Sequence, residues 1–303
     1  MSDKANAAGA PARGTSSGPV QVSARLLANA PAGAYREMVY HAPQVAQRAR
    51  PGQFVAIAVG EESSGLLLRR SFSIHKVTAE GAVHLVVADA GPGTHWLTNL
   101  AVGATVDLAG PLGTGFPLPA DTSGASVLIG GGYGSAPMFW LADVLRERGG
   151  RIHHILGAAE AGRLFGADLV PASDQATITT DDGSRGIRGR VTDPLPEILA
   201  ASGATTVYAC GPMPMLRAVT EVATAAGAQA YVAVEEAMAC GVGICMTCVL
   251  PAAGADGQVR MSRACVDGPV FPGTSVQWAA IADGRVSVPT DCLGAPGTHA
   301  GVR

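Results

Sequence analysis

Cys240, Cys245, Cys248 and Cys265 stand in the order C-x4-C-x2-C-x16-C. Thiolates in this order open with the plant-type spacing for a [2Fe-2S] cluster. Gly241 and Gly243 lie between the first two thiols, where a loop must wrap a compact inorganic core and a residue without a Cβ lets the backbone come close. Zinc is the competing occupant, but its sites usually pair two short knuckles, and only one C-x2-C exists here. The other two cysteines stand apart: Cys210 follows an apolar segment in Ala209-Cys210-Gly211-Pro212, and Cys292 lies near the C-terminus. A buried or incidental thiol accounts for Cys292.

A second group of residues is suited to nucleotides. Val127-Leu128-Ile129-Gly130-Gly131-Gly132-Tyr133-Gly134-Ser135-Ala136-Pro137 reads as a strand, a glycine-rich turn and a helix start. Such a turn aims bare backbone N–H groups and a helix N-terminus at a pyrophosphate. The match to G-x-G-x-x-G is imperfect, because Pro137 stands where the third glycine belongs, and a tight turn in any α/β domain looks similar. Cys210-Gly211-Pro212-Met213 closes a later strand and opens another helix, a second loop at the carboxyl edge of the same sheet. Earlier in the chain, Arg70-Ser71-Phe72-Ser73 offers a guanidinium for a phosphate, a ring to pack on a flavin and a hydroxyl for a ring nitrogen. An Arg and a Phe alternating on a strand are also ordinary surface and core. Gly91-Pro92-Gly93-Thr94 is either a phosphate-binding turn or a plain hairpin.

These residues need elements to carry them. The 303 residues have room for two or three domains, and 48% are hydrophobic against 15% charged. A net charge of -3, without a basic arm, gives no surface for nucleic acid or an anionic membrane. The longest uncharged stretches, Thr122 to Ala142 and Ala237 to Ala255, are too rich in Gly, Pro and Cys for spanning helices. Residues 1–18 are mostly Ala, Gly, Ser and Pro without an apolar core, so we expect a disordered tail, no secretory signal and a cytoplasmic protein. Residues 19–117 carry short apolar segments between Gly and Pro turns, such as Phe54–Val59 and Val83–Val87, and predict an antiparallel β barrel. Residues 118–228 alternate strands (Val127–Ile129, Ile152–Leu156, Thr205–Ala209) with helical patterns such as Met138–Arg148, and predict a parallel-sheet α/β nucleotide domain. Residues 229–288, rich in Cys and Gly, predict a small C-terminal [2Fe-2S] module that depends on its cofactor for stability. Residues 289–303 read as a loose tail.

Taken in order, these motifs resemble the ferredoxin-reductase superfamily. Arg70-Ser71-Phe72-Ser73 is similar to its R-x-[YF]-[ST] flavin signature, Gly130 to Pro137 to its nicotinamide loop, and Cys210-Gly211-Pro212 to its second nucleotide loop. The run from Glu235 to Cys248 and the segment Arg263 to Phe271 closely resemble the electron-transfer subunits of dihydroorotate dehydrogenase B. Thr180-Asp181-Asp182-Gly183-Ser184 and Gly189-Arg190-Val191-Thr192 are similar to that family too. The resemblance covers about Val20 to Trp278. Ser71 stands where the family usually has Pro, Ala88 where Arg is common, and Ala237 replaces a frequent Arg.

The resemblance implies FAD on the barrel, NAD on the α/β domain and a [2Fe-2S] cluster held by Cys240, Cys245, Cys248 and Cys265. These would face a separate FMN-containing dihydroorotate dehydrogenase catalytic subunit in a heterotetramer. In that reading Arg70 holds an FAD phosphate, and Phe72 and Ser73 flank the isoalloxazine beside Ser71. Val86, Val87 and Ala88 border the cofactor, and Gly93 and Thr94 bind further along it. Gly130, Gly131, Gly132, Gly134, Cys210, Gly211 and Pro212 serve the nicotinamide nucleotide. Electrons from dihydroorotate would pass singly through the cluster to FAD, which delivers a hydride to NAD in pyrimidine biosynthesis; no side chain need act as acid or base. NAD against NADP stays open. The alternatives are a reductase subunit feeding an oxygenase, hydrogenase or glutamate-synthase-type partner, and a zinc-bound, non-enzymatic module.

Overall fold

The structure is a computed structural model that describes residues 18–61, 64–119, 124–282 and 284–293. The expected N-terminal tail, apart from Gly18, lies outside the described residues, as does the C-terminal tail beyond Leu293.

Six antiparallel strands close a barrel: β1 (Val20–Ala32), β2 (Tyr35–His41), β3 (Phe54–Ile57), β4 (Arg70–Val77), β5 (Ala82–Val87) and β6 (Thr105–Leu112). Their order is β1-β2-β5-β4-β3-β6, with two short helices, α1 (Pro43–Ala46) and α2 (Pro92–Thr98), between strands. Short strands of β-branched and aliphatic residues curl this tightly because the register slips at Leu26/Ala28, Phe54/Ala56 and Ile74/Lys76, where irregular pairing bends the sheet. The interior is filled by side chains, among them Leu26, Met38, Tyr40, Ile57, Ile74 and Leu85, all fully buried.

The second sheet is built from β7 (Ala125–Gly131), β8 (Arg151–Ala158), β9 (Gln175–Thr180), β10 (Ile187–Arg188), β11 (Thr206–Cys210) and β12 (Gln229–Ala233). Helices α3 (Ala136–Glu147), α4 (Leu195–Ser202) and α5 (Met213–Ala225) connect them. The strands run parallel in the order β10-β9-β8-β7-β11-β12. Val127, Leu128 and Ile129 are buried on both faces of the sheet, the pattern a central parallel strand requires. Met138, Leu141, Ala142 and Leu145 form the buried stripe of α3 at helical spacing. The chain walks outward from β7 to β10 and then returns to β11, so the order reverses between β7 and β11. Ligand crevices form at such a reversal, outside the strands' carboxyl ends.

The C-terminal segment adds the hairpin β13 (Val249–Ala253) and β14 (Val259–Arg263), the strand β15 (Val270–Pro272) and the short pair β16 (Ile281–Ala282) and β17 (Arg285–Val286). This C-terminal module packs into the rest of the chain. β15 pairs antiparallel with β12 and becomes the seventh strand of the large sheet. Cys248, Leu250, Cys265 and Phe271 share one core with Val207 and Leu216 of the α/β unit and with Phe54 and Leu112 of the barrel. Nor is the chain loose from Pro289: Leu293 donates its N–H to the Val259 carbonyl (2.8 Å), and Cys292 is fully buried against Val259.

The barrel and the large sheet meet through Tyr35, Val86, Phe139, Leu156 and Phe165. Buried His75 lies in this seam, its Nδ1 2.6 Å from the Ala136 carbonyl, which requires the Nδ1–H tautomer to donate. His75, His153 and His154 all titrate below the ordinary value of 6.5, chiefly because burial disfavours the charged ring. The unfolded chain therefore binds more protons than the folded one just below that value. Their contribution to stability is complete above the ordinary value and is lost as the pH falls through it. The melting temperature should decline steadily from about pH 7 to about pH 5, and less steeply in His75→Gln, as followed by circular dichroism. A flat profile over that range would contradict the neutral buried imidazoles.

Candidate functional site

Two cavities open along the crevice at the β7/β11 reversal. The first, about 480 Å³, is lined by Gly131, Gly132, Tyr133, Pro212 and Met215 from the segments after β7 and β11 and by Asp181, Arg190 and Thr192 from those after β9 and β10. The second, about 260 Å³, lies between barrel and sheet; Ser71, Phe72, Ser73, Val86, Ala88 and Thr94 line it from the barrel, and Gly134, Cys210 and Gly211 from the sheet.

Backbone proximity makes this arrangement possible. A Cβ on Gly134 would stand 2.6 Å from the Cys210 carbonyl oxygen, and one on Gly131 would stand 2.8 Å from Met215 Sδ. Gly211, at φ 154°, lies against Gly131, so the turns after β7 and β11 touch through bare backbone. Gly130 lines neither cavity; its Cα faces Ser135, whose hydroxyl donates to the Gly132 carbonyl (2.8 Å) and closes the turn. The half-buried Cys210 thiol is pushed up to about 12 by loss of solvent and then by Glu235, so it stays protonated at neutral pH.

On the barrel side, Ser71, Phe72 and Ser73 pair with Ala56, Val55 and Phe54 across the β3–β4 ladder. Arg70 sits at the head of β4 and donates to the Leu68 carbonyl (2.5 Å). Its guanidinium lies against Gly93, where a Cβ would stand 2.6 Å from Nε. Gly93 and Thr94 stand in the first turn of α2 rather than in a hairpin, and with Arg70, more than twenty positions earlier, they form one polar corner; Arg70 and Gly93 themselves line neither cavity. The Thr94 hydroxyl accepts from the N–H groups of Ala90 (2.9 Å) and Gly91 (3.0 Å), so it is spent on shaping the turn. Val87 differs from its neighbours: it is fully buried in the barrel core and lines neither cavity.

The cysteines converge on the same region. Cys248 and Cys265 are buried, Cys240 is partly buried and Cys245 is exposed. Cys240 acts on Cys245, and both Cys248 and Cys240 act on Cys265. The loop between them takes left-handed backbone at Gly241, Gly243 and Met246, the one positive-φ non-glycine among the described residues. Polar hydrogens point at the sulfurs: Thr247 donates its hydroxyl to Cys245 Sγ (3.2 Å), and the Val242 N–H points at Cys240 Sγ (3.4 Å). The Thr247 hydroxyl, its backbone N–H and Cys240 bring the Cys245 thiol down to about 6, whereas burial and Cys248 push Cys265 up to about 12. Among the described residues no three of His, Cys, Asp and Glu gather closely enough to hold a single metal ion. Four neighbouring thiols, with hydrogen-bond donors on Cys240 and Cys245, make a donor set that fits a dinuclear iron-sulfur cluster. Gly241 packs on the barrel, where a Cβ would stand 3.2 Å from Leu112 Cδ1 and 3.7 Å from Phe54 Cε2, and Phe54 itself lines the second cavity.

Residues 235–277 match the iron-sulfur cluster binding domain of dihydroorotate dehydrogenase B. The electron transfer subunit of dihydroorotate dehydrogenase B (NAD(+)) from Geobacillus thermodenitrificans (strain NG80-2) is 40% identical over 217 residues, 70% of this chain and 82% of its own length. The chain belongs to this family. The corresponding subunit of Bacillus caldolyticus is 38% identical over 208 residues, covering 68% of this chain and 79% of that one. Among solved structures, an NADH-dependent reduced ferredoxin-NADP oxidoreductase superposes with a TM-score of 0.74 at 31% identity, over 85% of this chain and 91% of that one. A ferredoxin NADP+ reductase from Neisseria gonorrhoeae, solved with bound FAD and NADP, shares the fold (TM-score 0.55, 17% identity, 68% and 92% covered).

Several cavity residues were not singled out as site residues in the sequence. Tyr133, Asp181, Arg190 and Glu235 all line the first cavity, and each falls inside a segment similar to this family. Met238, at the second cavity, precedes the first cysteine. The signal was present as motif membership; which member faces a ligand is a property of the fold.

Because Gly134 meets backbone that cannot rotate aside, Gly134→Ala should force the two turns apart. We expect a loss of about 1–3 kcal/mol of stability in urea denaturation. An unchanged midpoint would mean the contact is not tight.

Proposed function

We propose that this chain carries electrons from a dihydroorotate-oxidising, FMN-containing catalytic subunit to NAD, through a [2Fe-2S] cluster and FAD that it holds itself. It is an NAD-linked oxidoreductase subunit of the electron-transfer class, acting in pyrimidine biosynthesis. The observation that carries the finer reading is contiguity. The thiol loop packs on Phe54 and Leu112, Phe54 borders the second cavity, and the second cavity adjoins the first.

In this reading the second cavity takes FAD. Arg70, with the Gly93-Thr94 turn, offers charged and neutral donors to a pyrophosphate. Phe72 packs beside the ring system, Ser71 and Ser73 present hydroxyls, and the small Ala88 leaves width. The first cavity takes NAD, its pyrophosphate on the backbone of Gly131 and Gly132. Cys240, Cys245, Cys248 and Cys265 hold the cluster. FAD, when bound, converts between single electrons and the pair that moves as hydride. The chain's own residues position these groups and exclude water. Six free cysteines suit a reducing cytoplasm. No helix among the described residues is long and apolar enough to cross a membrane.

The catalytic partner would dock over the thiol loop, in a heterotetramer. Val242 (46% exposed), Ile244 (80%) and Met246 (50%) form an apolar rim around Cys245 that a partner would cover.

Arg70→Ala should weaken FAD binding about tenfold while leaving iron content unchanged, measured by flavin release and iron assay on the purified chain. Equal loss of both cofactors would refute a barrel-held flavin. Thr247→Glu should weaken assembly with the catalytic subunit and dihydroorotate-dependent NAD reduction, while NADH-driven reduction of an artificial acceptor persists. Since Thr247 also bonds Cys245, Ile244→Glu provides the same test without touching a thiol. Intact complexes in both variants would move the interface elsewhere.

A further inference from the structure

Tyr133 and Glu235 are the two residues that line both cavities. They are joined: the Tyr133 hydroxyl donates to Glu235 Oε1 at 2.5 Å across 102 positions of sequence. One belongs to the turn after β7 and the other to the segment that leads from β12 to the first cysteine. Hydride transfer needs donor and acceptor atoms about 3–3.5 Å apart, so rings held in separate cavities cannot react. We propose that the Tyr133–Glu235 pair is a partition between the two cavities that the nicotinamide ring must part to reach the flavin, which makes Tyr133 a positioning residue for that ring. The proposal rests on the first cavity taking NAD and the second FAD.

The pair is built to open. Tyr133 is 43% exposed and Glu235 is exposed, so neither is locked into a core. The Tyr133 ring meets Tyr35 edge-on, with centroids 5.8 Å apart and planes at 80°. Its backbone lies in a single 3-10 turn between Gly132 and Gly134, with Gly132 at φ 56°. Burial and the adjacent Glu235 carboxylate raise the Tyr133 hydroxyl above its usual range, which keeps it a donor throughout the working pH. The first cavity also extends to Asp181 after β9 and to Arg190 and Thr192 after β10, strands two and three places from β7 in the sheet, so the rest of a dinucleotide has room away from the pair.

The two parts of the ligand can therefore be separated. NAD+ must part the pair; ADP-ribose, which lacks the nicotinamide ring, need not. On the full, FAD-loaded chain, calorimetry should find that Tyr133→Phe binds NAD+ about fivefold tighter, with ADP-ribose affinity unchanged. Glu235→Ala removes a charge that acts on both ligands alike, so its readout is the ratio of the two affinities. That ratio should shift toward NAD+ by the same factor, and adding Tyr133→Phe to Glu235→Ala should change it no further. An unchanged ratio in the single variants, or additive shifts in the double one, would overturn the partition. Failure of ADP-ribose to bind the unaltered chain would instead overturn the assignment of the first cavity, and the proposal with it.

Discussion

At Gly134 a side chain no larger than a methyl would stand 2.6 Å from the carbonyl oxygen of Cys210. Two loops, one after β7 and one after β11, meet there through backbone alone, and the rest of the site depends on that contact. It closes the end of the crevice at the reversal of strand order, so that the same short stretch of chain borders both cavities. Gly131 and Gly132 face one cavity, and Gly134 faces the other. A wider turn would leave one large cleft, with nothing to hold two flat ligands in a fixed relation.

The contact holds because the elements behind it are tied into shared cores. Phe54 is both a barrel residue and a wall of the second cavity, and it packs in the same apolar cluster as Cys248 and Cys265. β15 extends the large sheet, and the Thr114 N–H bonds to the Gly268 carbonyl (2.6 Å), joining the barrel exit to the cysteine-bearing segment. A segment of roughly sixty residues is small for a core of its own, and here it borrows one. The consequence for electron transfer is geometric: the thiol loop cannot drift relative to the barrel without opening that core.

Charge is sparing around the second cavity. Its polar groups are hydroxyls, the neutral Cys210 thiol, backbone and the Glu235 carboxylate, and Arg70 stands outside this lining. Glu236, which also lines it, is held above the ordinary carboxylate range by burial. Such a lining suits a large planar ring, because apolar walls bind it by area while a few donors fix its orientation. The thiols differ from one another for a comparable reason. The exposed Cys245 receives hydrogen bonds that favour its ionised form, whereas Cys265 lies in the core and favours its neutral one.

The sequence by itself determined the parts whose physics is local. The apolar run Val127–Ile129 followed by glycines, and Arg70-Ser71-Phe72-Ser73, are patterns within a few residues, and each lies on the strand its pattern requires. Tertiary structure alone decided which of these residues share a cavity. Strand pleat turned Val87 into the barrel core while Val86 and Ala88 face the ligand side. The pairing of β15 with β12, and of Leu293 with Val259, drew segments with little periodicity into the fold, because an unpaired edge costs more than it appears to in a linear chain. Tyr133 and Glu235 are ordinary residues of their motifs, separated by 102 positions. A hydrogen bond over that distance in sequence leaves no trace in composition or spacing; it exists only once two strand ends have been brought to one crevice.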